Sequence, residues 1–279
     1  MVHNSNPKLS VALATYNEEK VLGACLESIK GIADEIVVVD GSSTDRTVEV
    51  ARSFRAKVIV TDNKPIFHIN KQLAIDECKG EWILQLDADE QVTPELSAEI
   101  KSIISPAESP TTNHQSLVTN SAYWINRKKM FLGQWIKKGG QYPDPVIRFF
   151  KKGKAYLPCK SVHEQMVVDG EIGFLKNPMI HLPTPNFFVY VTKDNRYSTL
   201  TALEMKDKNL PLNFCSFFKY VFWEPNRIFF SLYLGHKGFL DGFPGFVFAL
   251  YSGLHQVTAF VKYWEMSKTG NGEVDKDWV

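Results

Sequence analysis

Short apolar runs alternate with helically spaced apolar positions through the first hundred residues. Leu9 to Thr15 is apolar enough for a buried strand. Val21, Leu22, Cys25, Leu26 and Ile29 then recur on one helical face. Ile36 to Val39 is all β-branched and predicts a second strand, followed by a helix over 45–54 with Val48, Ala51 and Phe54 on one side. Val58 to Val60 predicts a third strand, 69–78 a helix, and Trp82 to Leu86 a fourth strand. Thr93-Pro94-Glu95 has the form of an N-cap with proline at the first helical position. Regular strand–helix alternation predicts a parallel sheet with right-handed crossovers.

The pattern changes after a Ser/Thr/Pro/Asn-rich stretch at 105–121, which reads as a surface loop. Segments 122–126, 146–150, 162–168 and 171–175 are short and strand-like, with glycine-containing turns between them. They predict a mixed extension of the sheet. From Phe187 onward the spacing is helical again. The expected organisation is therefore 1–104 as one half of an α/β domain, 105–121 as a loop, 122–186 as the other half, and 187–279 as a helical region.

Chemistry collects at three strand ends. The first strand runs into Thr15-Tyr16-Asn17-Glu18-Glu19, the second into Asp40-Gly41-Ser42-Ser43-Thr44-Asp45, and the fourth into Asp87-Ala88-Asp89-Glu90. The C-terminal tips of parallel strands lie along one sheet edge, where ligands bind in open α/β folds. Two carboxylates one residue apart can reach a hard divalent cation. Each segment also has a plainer reading. Asn17 can cap the first helix, Thr44 or Asp45 the second, and the acids can simply close a loop. Asp40 at the end of a buried strand needs a polar partner.

Net charge of +1 removes any general field for nucleic acid. Four separated cysteines offer neither a zinc site nor a disulfide framework. The first strand is followed by no Gly-x-Gly-x-x-Gly turn, and no P-loop is present, which argues against nicotinamide-cofactor and P-loop nucleotide enzymes. Met1 to Lys8 is polar, without the apolar core of a signal peptide, so the expected location is cytoplasmic. The uncharged stretch Gly242 to Val261 is long enough to cross a bilayer. Its proline, glycines, His255 and Gln256 favour a buried or interfacial helix instead.

Taken in order and spacing, the three strand-end segments closely resemble the donor half of the family 2 glycosyltransferases. The resemblance covers roughly residues 8 to 100. It implies a GT-A fold, a nucleotide-diphospho-sugar donor, an Mg²⁺ or Mn²⁺ ion, and inversion at the anomeric carbon. Carried onto this chain, Thr15, Tyr16, Asn17, Glu18 and Asp40 would hold the nucleoside, with Ser42 and Asp45 supporting that pocket. Asp87 would lie near the ribose or metal and Asp89 would be the main metal ligand. Lys71 would contact the diphosphate.

The second half resembles, more loosely, bacterial lipopolysaccharide-core and cell-surface glycosyltransferases, through 141–150, Val162-His163-Glu164, His181 and 237–245. It implies a cell-envelope glycan or glycolipid acceptor. Glu164 is the expected general base and Asp144 the alternative. Arg148 is a donor-side candidate, and His181 is aimed at the diphosphate and metal. A donor-binding module without transfer activity is the competing reading.

Eleven of the nineteen phenylalanines fall between Phe214 and Phe260. They suit either a helical core or an element lying on an anionic membrane surface, with Lys219, Arg227, Lys237 and Lys262 facing the lipid headgroups. The second alternative puts the protein peripherally on the inner face of the cell membrane.

Overall fold

A computed structural model describes residues 7–64, 66–105, 120–160 and 165–270. In chain order the sheet-forming part contains β1 (Leu9–Thr15), α1 (Leu22–Ser28), β2 (Glu35–Asp40), α2 (Thr47–Ser53), β3 (Lys57–Val60), α3 (His68–Glu77), β4 (Trp82–Leu86), β5 (Glu90–Gln91), α4 (Pro94–Ile104) and β6 (Ala122–Phe131). It continues with β7 (Gln134–Trp135), β8 (Pro145–Lys151), β9 (Ala155–Tyr156), β10 (Val167–Val168), β11 (Ile172–Phe174) and β12 (Met179–His181). The helical part contains α5 (Phe187–Asp207), α6 (Phe214–Phe218), α7 (Glu224–Phe230) and α8 (Gly242–Thr269).

The chain divides into two units, Met1–Arg127 with Asp144–His181, and Lys128–Pro143 with Leu182–Val279. In the first, the main sheet runs β3-β2-β1-β4-β8-β6. β1 pairs in parallel with β2 and β4, and β2 with β3. β8 enters antiparallel to both β4 and β6. This is the mixed α/β sheet expected of a GT-A fold.

The central strands are mostly apolar because both sheet faces are covered. Leu9, Val11, Leu13, Leu84 and Leu86 pack on one face with α1 and α4, while Ala12, Val37, Val39 and Ile83 pack on the other with α3. Thr93 caps α4 as its sequence indicated, its hydroxyl accepting from Leu96 N–H at 3.2 Å. Gly80 lets the chain re-enter the sheet. A Cβ there would stand 2.6 Å from Ser10 Oγ and 2.7 Å from Ser10 N.

In the second unit α5 packs on α8 through Ala202, Met205, Ala259, Phe260, Tyr263 and Met266. The β6–β7 turn belongs here rather than with the sheet half to which 122–186 was assigned. Its Phe131 and Ile136 share a core with Tyr190 and Val247, a long-range pairing that local periodicity does not carry. Residues 214–235 form one helical run in which π-turns at Lys219–Trp223 and Ser231–Gly235 flank α7. The first π-turn precedes Pro225, which has no N–H to give. Gly253 of α8 meets the backbone of that run, since a Cβ there would be 2.6 Å from Pro225 O. Among the described residues no helix is long and apolar enough to cross a membrane.

Candidate active site

Parallel pairing sets Thr15 opposite Asp40 and Leu13 opposite Leu86, so the three chemically rich strand ends emerge side by side. The first two are laced together. Fully buried Asp40 accepts from Thr15 Oγ1 at 3.0 Å, Ser43 N at 2.8 Å and Ser43 Oγ at 2.6 Å. Its need for partners is thus met by its own loop and the end of the neighbouring strand. Asn17 caps no helix. It sits at φ 55° and its Oδ1 accepts from Thr44 N at 2.8 Å. Glu18 N–H donates to Thr47 Oγ1 at 2.8 Å.

Asp45 does act as a cap of sorts, accepting Thr47 N–H at 3.0 Å at the start of α2. Burial alone would raise the Asp45 pKa, but the hydrogen bonds from Thr47 outweigh it and lower the value. Ser42, at φ 64°, donates to Thr61 O at 2.9 Å. Tyr16 remains 44% exposed, which leaves its ring free to stack on a planar ligand.

The third strand end is the centre of a buried ionic network. Asp87 pairs with Lys71 through Oδ1 and with Arg148 Nη2 at 2.5 Å through Oδ2. Arg148 also reaches Gln85 and, at 2.9 Å, Glu90 Oε1. Glu90 is fully buried, accepts Asp87 N–H at 2.9 Å, and lies 3.5 Å from Arg127, which pairs with Asp144 at 2.9 Å. Burial would raise the Asp87 pKa, but Arg148 and Lys71 override it and hold the carboxyl well below its usual range. The Arg148 guanidinium, which burial would weaken, is held cationic by Asp87 and Glu90.

Lys71, Asp87, Arg127, Arg148 and Gln165 line one cavity of about 290 Å³. Arg148 Nε is buried there without a partner among the described residues. Lys71, Arg127 and Arg148 bring three cations to the cavity, matched by the carboxylates of Asp87, Glu90 and Asp144.

Asp89 stands apart from this network. Its Oδ2 is 3.6 Å from His181 Nε2, and both side chains are mostly buried. The pairing of β5 with β12 brings them together, with His181 in register with Glu90. Among the described residues Asp89 makes no pair with lysine or arginine, and the buried His181 Nδ1 has no partner. The ring is therefore not committed to a structural hydrogen bond. Asp87, the other acid expected at the metal, has given both oxygens to cations. No group of three or more His, Cys, Asp or Glu side chains converges among the described residues. A carboxylate and an imidazole still fit a cation that completes its shell with substrate phosphates.

Glu164 lies outside the described residues. Its sequence neighbour Gln165 lines the cavity. Asp144, the alternative base, is engaged by Arg127. Glu90 and Arg127 were not singled out from the sequence. Glu90 adjoins Asp87 and Asp89, which was a usable signal; nothing local marks Arg127.

Comparison with known proteins adds to this geometry. The family profile "Glycosyl transferase family 2" matches residues 10–153. An uncharacterized glycosyltransferase of Rickettsia typhi is 28% identical over 273 residues, covering 94% of this chain and 86% of the relative. The lipopolysaccharide core biosynthesis glycosyltransferase LpsC of Rhizobium meliloti is 26% identical, covering 86% of this chain and 88% of the relative. The crystal structure of S. aureus TarS 1–349 is similar at a TM-score of 0.45 and 16% identity, covering 95% of this chain and 92% of that one.

Proposed function

The chain belongs to glycosyltransferase family 2, and from that premise we propose that it moves a sugar from a nucleotide-diphospho-sugar to a hydroxyl of a cell-envelope glycan or glycolipid, inverting the anomeric carbon with an Mg²⁺ or Mn²⁺ ion. One observation carries the reading: a cavity lined by Lys71, Arg127 and Arg148 at the strand-end edge of a parallel sheet, with Asp89 of the Asp89–His181 pair following two residues after its Asp87. The likeness to LpsC supports the acceptor class.

Each residue then has a task. Tyr16 stacks on the base, and the loops held by Asn17, Asp40, Ser42 and Asp45 shape the nucleoside pocket, with Thr15 and Glu18 beside it. Asp87 keeps Lys71 and Arg148 charged and aimed at the cavity, where they and Arg127 receive the diphosphate. Asp89 and His181 would hold the metal. When bound, it supplies Lewis-acid neutralisation of the leaving nucleoside diphosphate. Glu164 takes the proton from the attacking hydroxyl as the new glycosidic bond forms and the bond to the diphosphate breaks.

Release of nucleoside diphosphate, followed with and without Mn²⁺ across a panel of sugar nucleotides, tests the reading. Glu164→Gln should lower turnover by roughly 10²–10⁴-fold while donor binding persists. Near-normal turnover in that variant transfers the role to Asp144. Silence with every donor would leave a binding module.

A further inference from the structure

The helical unit places many of its large apolar side chains in solvent. Phe214, Phe218 and Phe222 recur every four residues, with centroids 6.4 and 5.9 Å apart, and Phe217 lies 5.6 Å from Phe222. Phe214 is 76% exposed and Trp223 59%. A second group surrounds the turn between the helical run and α8, where Leu240 is 60% and Phe243 71% exposed, with Leu234 and Phe239 also exposed. Isolated exposed apolar residues need no explanation, but contiguous patches mark interaction surfaces.

Charge identifies the partner. Between Asn209 and Trp264 the only acids are Glu224 and Asp241. Glu224 pairs with Arg227 at 2.7 Å, and Asp241 is buried, accepting Lys138 N–H at 2.7 Å. Lys219 and Lys237 are exposed and make no ion pair among the described residues. The uncompensated charge on this face is wholly positive. It suits anionic lipid headgroups and repels a second copy of itself. Lys262, expected to join it, instead turns inward and donates to Asn195 Oδ1 at 2.7 Å and Ser198 Oγ at 2.9 Å.

We propose that the face built from residues 214–243 docks in the plane of an anionic lipid bilayer, with its phenylalanines and Trp223 in the interface and Lys219 and Lys237 against headgroup phosphates. The aromatic rings supply buried apolar area and the lysines supply selectivity for negative lipid. No spanning helix is needed, and none is found among the described residues. The inference is independent of the transfer chemistry.

Flotation of the full chain with vesicles of phosphatidylethanolamine and phosphatidylglycerol, against vesicles of phosphatidylcholine alone, tests it. Binding to the anionic vesicles is expected, reduced but not abolished by high salt. Each neutralised lysine should weaken it roughly fivefold, so K219E/K237E should weaken it at least ~25-fold. F218S/F222S/F243S should weaken binding to both vesicle types by about tenfold or more, with thermal melting and donor hydrolysis unchanged. Failure of the unaltered chain to bind anionic vesicles at low salt would overturn the proposal. So would indifference to both sets of substitutions, or a solution dimer that F218S/F222S/F243S dissociates, which would make a second copy the occupant.

Discussion

At the sheet edge of the first unit, three cations and three carboxylates lie in or beside the cavity, with Glu90 fully buried. In the second unit phenylalanines of the 214–235 run lie in solvent while Lys262 is drawn inward. Each region inverts the usual distribution of polar and apolar groups, and each inversion lowers stability relative to the ordinary arrangement. In the first, desolvation of the ions is offset only by close mutual pairing, so removing one partner should be felt throughout. In the second, the rings have few folded-state contacts to lose. The contrast separates residues that hold the fold from residues that await a partner.

Three substitutions bear on that contrast, beginning with the largest effect. Asp89→Ala should lower metal-dependent transfer by roughly 10²–10⁴-fold, equivalent to several kcal/mol of lost Lewis-acid assistance. Its melting temperature should stay near that of the parent, because Asp89 has no lysine or arginine partner among the described residues and lies 3.6 Å from His181. Unchanged metal dependence would remove Asp89 from the metal site. Asp87→Asn strands Lys71, leaves Arg148 only Glu90 as a carboxylate partner, and should destabilise the fold by about 3–5 kcal/mol in denaturant titration. A loss under 1 kcal/mol would show that the network contributes little.

The Asp87 effect should also depend on pH. Its folded-state pKa is depressed by Arg148 and Lys71 against the opposing effect of burial. Its contribution is therefore fully present above about pH 4, the ordinary carboxylate value, and is lost as pH falls below it toward the folded-state value. The stability gap between parent and Asp87→Asn should stay constant from neutral pH to about pH 5 and narrow only in stronger acid. At the small end, Trp223→Ser should change stability by no more than about 0.5 kcal/mol. A larger loss would mean that the exposed rings support the fold after all.

The two regions also differ in how far they could be read from sequence. Continuous β-branched and apolar runs made β1, β2 and β4 legible, since parallel strands covered on both faces have no polar side to confuse the pattern. The strand-end segments followed from that, and Thr93-Pro94 announced α4. The boundaries of α2 moved inward to Thr47–Ser53 because Asp45 and Arg46 belong to the loop bonded to Glu19.

The ionic network was only half legible. Lys71, Asp87 and Arg148 were candidates, but their meeting depends on β8 lying antiparallel beside β4. The Asp89–His181 approach depends on a pairing between strands of two and three residues, too short to leave a periodic signal. In the helical unit the aromatic density was plain, while its division into inward and outward faces was not. That division follows from π-turns and from the close contact of Gly253 with Pro225, neither of which a 3.6-residue period describes.

The four thiols differ in the same way as the regions that hold them. Cys25 and Cys78 are buried, and burial raises both, Cys78 to about 12. Cys159 is partly covered, its Sγ donating to Leu157 O at 3.2 Å. Cys215 is exposed on α6, next to Phe214 in the ring stack. The chain thus carries a natural attachment point for a thiol-reactive fluorophore on its aromatic face, where the emission colour would report water or hydrocarbon without any engineered cysteine.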